Sequence, residues 1–433
     1  MAKLWEKGYK TDLQVEKFTA GKDREFDMRL APYDIIGSIA HVTMLQSVGL
    51  LTDQESIDLK DKLEVLLEKV KKGEFTIDEG VEDIHSQVEL YLTAELGETG
   101  KKIHSGRSRN DQILLDMCLF TKAELLIFRD EIVVLFDTLQ SLSEKYKDVL
   151  MPGYTHGQIA MPSSFGLWLG AYAEALVDDL YFLNAAFKVV DQNPLGSAAG
   201  YGNSFPLDRN LTTDLLGFST LKYNSIAAQM SRGKSEKAVI DALSMVAHTL
   251  GKLASDCVLF TGGNFGFISF PDEFTTGSSI MPHKKNPDVW ELIRANCNLT
   301  IGASTQVSLL CGNLSHGYHR DYQLLKEILF PATDRMHQSL QMANLMLSGV
   351  VVNSSLMEDS RYDCLFTVEE VNKLVLQGVP FREAYRITGE KVARGDFSPD
   401  KKIAHTHIGS IGNLCNDLIR KKLEKALYQL KNE

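Results

Sequence analysis

The chain is short of positive charge, of proline and of clustered cysteine. Its 433 residues carry 46 Lys+Arg against 57 Asp+Glu, a formal net charge of −11. A nucleic-acid binder or a binder of anionic membranes needs a cationic surface, so neither partner is expected. An anionic substrate stays possible, because a few placed Arg and Lys can hold one against the global field. The six cysteines (118, 257, 297, 311, 364 and 415) are widely scattered, with no C-x-x-C pair and no metal-ligand spacing. Reduced, mostly buried thiols are the expectation, with no metal site. No segment approaches the roughly 18 to 20 apolar residues that span a bilayer. The opening MAKLWEKGYKTDLQVEKF is charged and lacks the apolar stretch of a secretory signal, so a cytoplasmic location is expected. There is no β-α-β rhythm, no G-x-G-x-x-G after a strand and no P-loop, which disfavours nucleotide folds.

Proline numbers 11, and its placement is informative. None falls between Pro32 and Pro152 or between Pro206 and Pro271. Because proline breaks helix interiors, those gaps leave room for very long helices. The apolar pattern fills them. Leu114, Cys118, Thr121, Leu125, Phe128, Ile132, Leu135, Leu139 and Leu142 step by 4,3,4,3, with only Thr121 off type. Leu169 to Val190 and Val239 to Phe260 repeat the pattern. Sustained heptads predict seams between packed helices, in a bundle roughly 40 Å long or longer. Leu180-Tyr-Phe-Leu183 is apolar nearly all round, so a homo-oligomer with a shared helical core is expected.

The fold class expected is therefore all-α, in three helical domains. Residues 1–106 hold shorter helices over Asp34–Leu50, Asp53–Lys71 and Glu82–Leu96. Residues 107–352 hold the long heptads. Residues 353–433 hold short helices broken by Gly378, Pro380, Gly389 and Pro399.

Polar islands interrupt the helices. His104-Ser-Gly-Arg-Ser-Arg-Asn-Asp-Gln112 precedes the first long helix. Its arginines and a helix start suit an anion, although a capped terminus with solvated arginines reads equally well. Met151-Pro-Gly-Tyr-Thr-His-Gly-Gln-Ile-Ala-Met-Pro162 is a stiff proline-bracketed loop. Its His156 is either a general acid or base or a histidine satisfied by loop carbonyls. Thr275-Thr-Gly-Ser-Ser-Ile-Met-Pro-His-Lys-Lys-Asn-Pro-Asp288 combines small residues, serines and lysines, enough to bind a carboxylate and lower a hydroxyl's pKa. The alternative is an exposed turn. Glu291 follows on a helix, where a glutamate is usually just solvated. A weaker cluster, His316-Gly-Tyr-His-Arg-Asp-Tyr-Gln-Leu-Leu-Lys326, has two histidines but no H-E-x-x-H.

Gly277-Ser-Ser-Ile-Met-Pro-His-Lys-Lys-Asn-Pro287 resembles the signature loop of the fumarase/aspartase superfamily, GSSxMPxKxNP. HSGRSRNDQ, PGYTHGQ, Pro194-Leu-Gly-Ser197 and Gly378-Val-Pro-Phe-Arg-Glu-Ala-Tyr385 are similar to the argininosuccinate lyase family. The resemblance runs over essentially the whole chain. It implies an all-α homotetramer with a central core of long helices and active sites shared between subunits. It also implies reversible elimination of argininosuccinate to arginine and fumarate, without metal or cofactor. By motif, Ser278 resembles the proton-abstracting base, aided by Lys284, and His156 the general acid, oriented by Glu291. Implied substrate-binding residues are Arg109, Asn110, Thr155, Asn286, Tyr318, Gln323, Lys326 and His85. Other lyases of the superfamily, and a crystallin-like structural homologue, are the alternatives.

The chain departs from the family pattern in places. Leu4-Trp-Glu-Lys-Gly-Tyr9 replaces LWGGRF, and Phe18–Arg24 is about two residues longer, with Lys22 and Asp23 as possible site residues. Gly157 stands for Leu and His283 for Gln. Ser231 and Gly233 flank Arg232 where an acidic pair is usual.

Overall fold

The computed structural model describes residues 12–403 and 405–431, so the Leu4–Tyr9 segment lies outside it. The architecture is all-α. Five long helices, Arg109–Lys145, Phe165–Val190, Lys234–Thr261, Asp288–Leu310 and Leu325–Ser348, each pack on the next, and the last returns to the first. The longest has 37 residues, about 55 Å at 1.5 Å per residue. Its heptad residues Leu114 to Leu139 are buried at the seam. Thr121 fits there because its hydroxyl donates to the Met117 carbonyl at 2.6 Å, so no polar group is left bare. No helix among the described residues is long and apolar enough to cross a membrane.

The helix starts follow their caps. Thr52 and Glu55 form a reciprocal capping box ahead of Asp53–Lys71, and Ser108 with Asp111 does the same ahead of Arg109. Asp83 caps Ile84–Leu96.

Two expectations about secondary structure fail. The helix expected from Asp34 begins at Asp23 and runs through Pro32 to Ser47. An interior proline costs about 3 kcal/mol. Leu30 and Ile35 on either side are wholly buried, and burying each contributes about 1.5–3 kcal/mol, so packing outweighs the lost bond. Pro331 lies inside Leu325–Ser348 for the same reason, between buried Phe330 and Ala332. The 151–162 loop is instead an antiparallel hairpin, Leu150–Thr155 with Gln158–Ser164. Pro152 faces Pro162 across it, a register in which both missing N–H groups lie along the outer edges.

A second apolar cluster, with Ile35, Leu45, Leu59, Leu63 and Ile84, joins the helices Asp23–Ser47, Asp53–Lys71 and Ile84–Leu96. The last helix, Asn416–Lys431, packs on Phe165–Val190, and its Ile419, Leu423 and Ala426 belong to the bundle's core. Three cysteines are buried, Cys311 and Cys415 are half-buried, and Cys364 is exposed, against the expectation of mostly buried thiols. On the outer faces of the long helices Ile127, Val134, Phe182, Leu259, Leu299 and Leu309 are exposed in the single chain.

One polar clamp ties two bundle helices together. His337 lies 2.7 Å from both Glu124 and Glu131 and stacks on Phe128 at 3.9 Å. Burial alone would lower its pKa, but the two glutamates outweigh it and push it up to about 9. Because the folded value lies above the unfolded one, this stabilisation is full below about pH 6.5 and fades as pH rises through about 9. His337→Gln should therefore melt at a lower temperature than the parent near pH 6. The gap should narrow by pH 10. A gap of constant size across that range would refute the clamp.

Candidate functional site

A cavity of about 160 Å³ opens where the first helices meet the bundle. Asp23 and Asp27 reach it from the Asp23–Ser47 helix. Glu82, Asp83 and His85 come from the turn that opens Ile84–Leu96. Arg109 and Asn110 come from the first turn of the longest helix. Arg232, Tyr318, Arg320, Gln323 and Lys326 close the far side. Six of the expected binding residues (Arg109, Asn110, Tyr318, Gln323, Lys326 and His85) thus line one cavity.

Its cations are already paired. The Lys326 side chain is buried between Asp27 and Asp23, with Nζ 2.6 Å from Asp23. Burial opposes its charge, but the two carboxylates outweigh burial and raise its pKa. Asp23 is pushed up to about 6, mainly by burial and also by Asp27, against the pull of Lys326. Arg109 donates to Glu82 at 2.9 Å and to Ser86 at 2.7 Å. Arg320 donates to the other Glu82 oxygen at 3.0 Å, so one carboxylate holds two guanidiniums. The Gln323 amide donates to the Thr19 and Ala20 carbonyls.

Arg232 is buried, 3.0 Å from Glu236, and donates to the Tyr322 carbonyl at 3.1 Å. The departure beside it has a steric reason. Gly233 has φ +78, and a Cβ there would lie 2.4 Å from Cys311 Sγ. Glycine at 233 therefore goes with Cys311 packed against it.

The other six residues, Thr155, His156, Ser278, Lys284, Asn286 and Glu291, do not line this cavity. Thr155 and His156 are exposed at the hairpin end. His156 and Gly157 are the two turn residues between paired Thr155 and Gln158, with φ 54 and 70. That is the left-handed pair a two-residue hairpin needs, and glycine at 157 suits it better than leucine would. Asn286 and Thr276 pinch the base of the Gly277–Lys285 loop, Asn286 N–H donating to the Thr276 carbonyl at 2.8 Å. Within the loop Ser278 Oγ accepts N–H bonds from Met281 at 3.1 Å and Ile280 at 3.4 Å. Donors aimed at a hydroxyl oxygen favour its anion. Lys284 is exposed. Glu291 lies 4.0 Å from Arg294 in the helix that follows.

Beneath the cavity His85 meets Asp34 at 2.7 Å and Asp116 at 3.7 Å. These three are the one group among the described residues whose ligand atoms lie close enough to hold a metal, within 4.8 Å of one another. The shortest contact is that of a hydrogen bond. Two donors on a zinc-like ion at about 2.1 Å each would stand roughly 3.4 Å apart.

Sequence reasoning did not select Asp27, Glu82, Asp83, Arg232 or Arg320. Arg320 and Arg232 lay inside segments already singled out. Asp27 fell on the side of Pro32 where no helix was expected.

Known proteins are similar to this chain along most of its length. The family described as lyase matches residues 6–302, more than half of the chain. The argininosuccinate lyase of Parabacteroides distasonis is 56% identical over 96% of this chain and 94% of that one. The argininosuccinate lyase of Thermotoga neapolitana is 43% identical over 90% and 98%. Among solved structures, an EDDS lyase in complex with formate superposes with a TM-score of 0.75 at 21% identity, covering 98% of this chain and 91% of that one. A fumarate lyase/delta crystallin from Brucella melitensis, bound to cobalt, gives 0.72 at 15% identity, covering 94% and 91%. These two likenesses are of fold.

Proposed function

Because this chain belongs to the argininosuccinate lyase family, we propose that it cleaves argininosuccinate reversibly to L-arginine and fumarate, the closing reaction of arginine biosynthesis, in the cytoplasm. The observation that carries the reading is the cavity. Six residues chosen by motif alone line it, and its mixed lining suits a substrate bearing carboxylates together with a guanidinium and an amine. The division into residues 1–106, 107–352 and 353–433 goes with this reading, the cavity drawing on the first two parts.

The chemistry is a β-elimination carried by side chains, without metal or cofactor. Ser278 Oγ takes the proton from the carbon beside a carboxylate. Its two N–H donors and the neighbouring Lys284 support the alkoxide it needs to be. The electron pair left on carbon is held on the adjacent carboxylate by cations and hydrogen bonds. It then forms the fumarate double bond as the C–N bond breaks. His156, oriented by Glu291, gives its proton to the departing guanidino nitrogen.

The working unit is a homotetramer with shared sites. Two features support it. The proposed acid stands exposed and the proposed base half-buried, on loops that do not line the cavity. The long helices carry exposed apolar residues on their outer faces. A neighbour's loops completing the cavity would satisfy both.

The direct test incubates the purified protein with argininosuccinate and follows fumarate by its ultraviolet absorbance, with arginine plus fumarate as the reverse check. Fumarate is expected in the first and its loss in the second. No fumarate from a confirmed tetramer would overturn the reading.

A further inference from the structure

Asp34, His85 and Asp116 come from three different helices and meet in the interior, 2%, 7% and 1% exposed. Asp34 Oδ2 and both carboxylate oxygens of Asp116 have no hydrogen-bond partner. Buried carboxylates without partners are strongly unfavourable unless a cation faces them. His85 is placed to be that cation, with Nδ1 turned inward against both acids. Since Nδ1 faces the acids, the Nε2 edge is what the ring brings to the cavity it lines.

Resting on the reading above, we propose that Asp34 and Asp116 are positioning residues that hold His85 as an imidazolium, with Nε2–H presented to the cavity as a donor to a substrate carboxylate. The second proton decides the function. In a neutral ring whose Nδ1–H is given to Asp34, Nε2 carries only a lone pair, which repels a carboxylate. Only the doubly protonated ring donates there.

The surroundings agree. Burial alone would lower the His85 pKa, but Asp34, then Asp116 and Asp83, outweigh it and bring it up to about 9. Asp34 comes from the Asp23–Ser47 helix, Asp116 from Arg109–Lys145 and Asp83 from the cap of its own helix. The cations on this side are Arg107 and Arg109, which oppose the proton, while burial and these charges hold the His104 pKa below its ordinary value. Asp116 itself is pushed well up by burial and by Asp34, against the pull of His85, so Asp34, at 2.7 Å from Nδ1, is the main counter-charge and Asp116, at 3.7 Å, the lesser one.

The test removes one acid and keeps its volume. In ligand-free Asp116→Asn, the ring resonance of His85, identified by its loss in His85→Asn, should titrate about 1 to 3 units lower than in the parent. At a pH between the two values, KM for argininosuccinate should rise about tenfold for each unit by which the pH exceeds the variant's value, with kcat changing less. The alkaline limb of kcat/KM should move down with the resonance. Asp34→Asn should shift the same resonance in the same direction, which keeps the test open should Asp116→Asn not fold. An unmoved His85 titration, or a fall in kcat with KM unchanged, would overturn the inference. The resonance is read without substrate, so a parent protein that yields no fumarate would sink the functional reading, while the titration would still decide whether the two acids hold the imidazolium.

Discussion

Ser278→Ala is expected to cut fumarate production by about a thousandfold, within the span of general base catalysis, while the melting temperature stays where it was. The two halves of that expectation have separate physical grounds. Ser278 sits in a loop whose neighbours are mostly exposed, and its hydroxyl bonds only to N–H groups two and three residues on. Deleting one oxygen there creates no cavity and strands no buried charge, so the fold has little to lose. The chemistry loses the atom that accepts the proton. Argininosuccinate should still raise the melting temperature of the variant, because the cavity that binds it is intact. Turnover within a few-fold of the parent would dismiss Ser278 as the base.

Two inactive variants should restore one another. Arg109→Gln impairs the cavity, and Ser278→Ala impairs the loop. If a site takes its cavity from one chain and its loop from another, coexpressed variants form some sites with both parts sound. In random one-to-one assembly that fraction is about one quarter, so the mixture should recover activity of that order from two nearly dead parents. Mixing after purification, without subunit exchange, should recover none. Failure of the coexpressed mixture would mean that each site is complete within one chain. The proposal of shared sites would then fall.

The sequence carried much of this because of how its signals are written. Heptads are local and repeated, so Leu114 to Leu142 could be read as one helix and its buried stripe foreseen. Caps are local too, and Thr52 and Ser108 mark their helices within a residue. Pro32 and Pro331 misled or were silent because their cost is offset by core contacts with residues far along the chain. The hairpin at 150–164 was hidden by its prolines, which break the alternation that a strand would show. Its turn pair, His156-Gly157, looks like a loop until both residues are seen at positive φ. Asp116 stood in plain view, an aspartate between Leu115 and Met117 on a buried helix face. What it faces, His85 and Asp34, is set only by helix crossing, and no spacing encodes that.

The paired cations of the cavity bear on product departure. Lys326 rests between Asp23 and Asp27, Arg109 and Arg320 share Glu82, and Arg232 has Glu236. A leaving dianion therefore exposes no bare charge, since the protein's own carboxylates stand ready to take its place. That built-in competition shortens the residence of either end state. A ring of unpaired cations would grip fumarate far harder, and tight hold on an end state adds nothing to kcat. The acids facing the cavity act in this way as an eviction mechanism, keeping the site free for its next occupant.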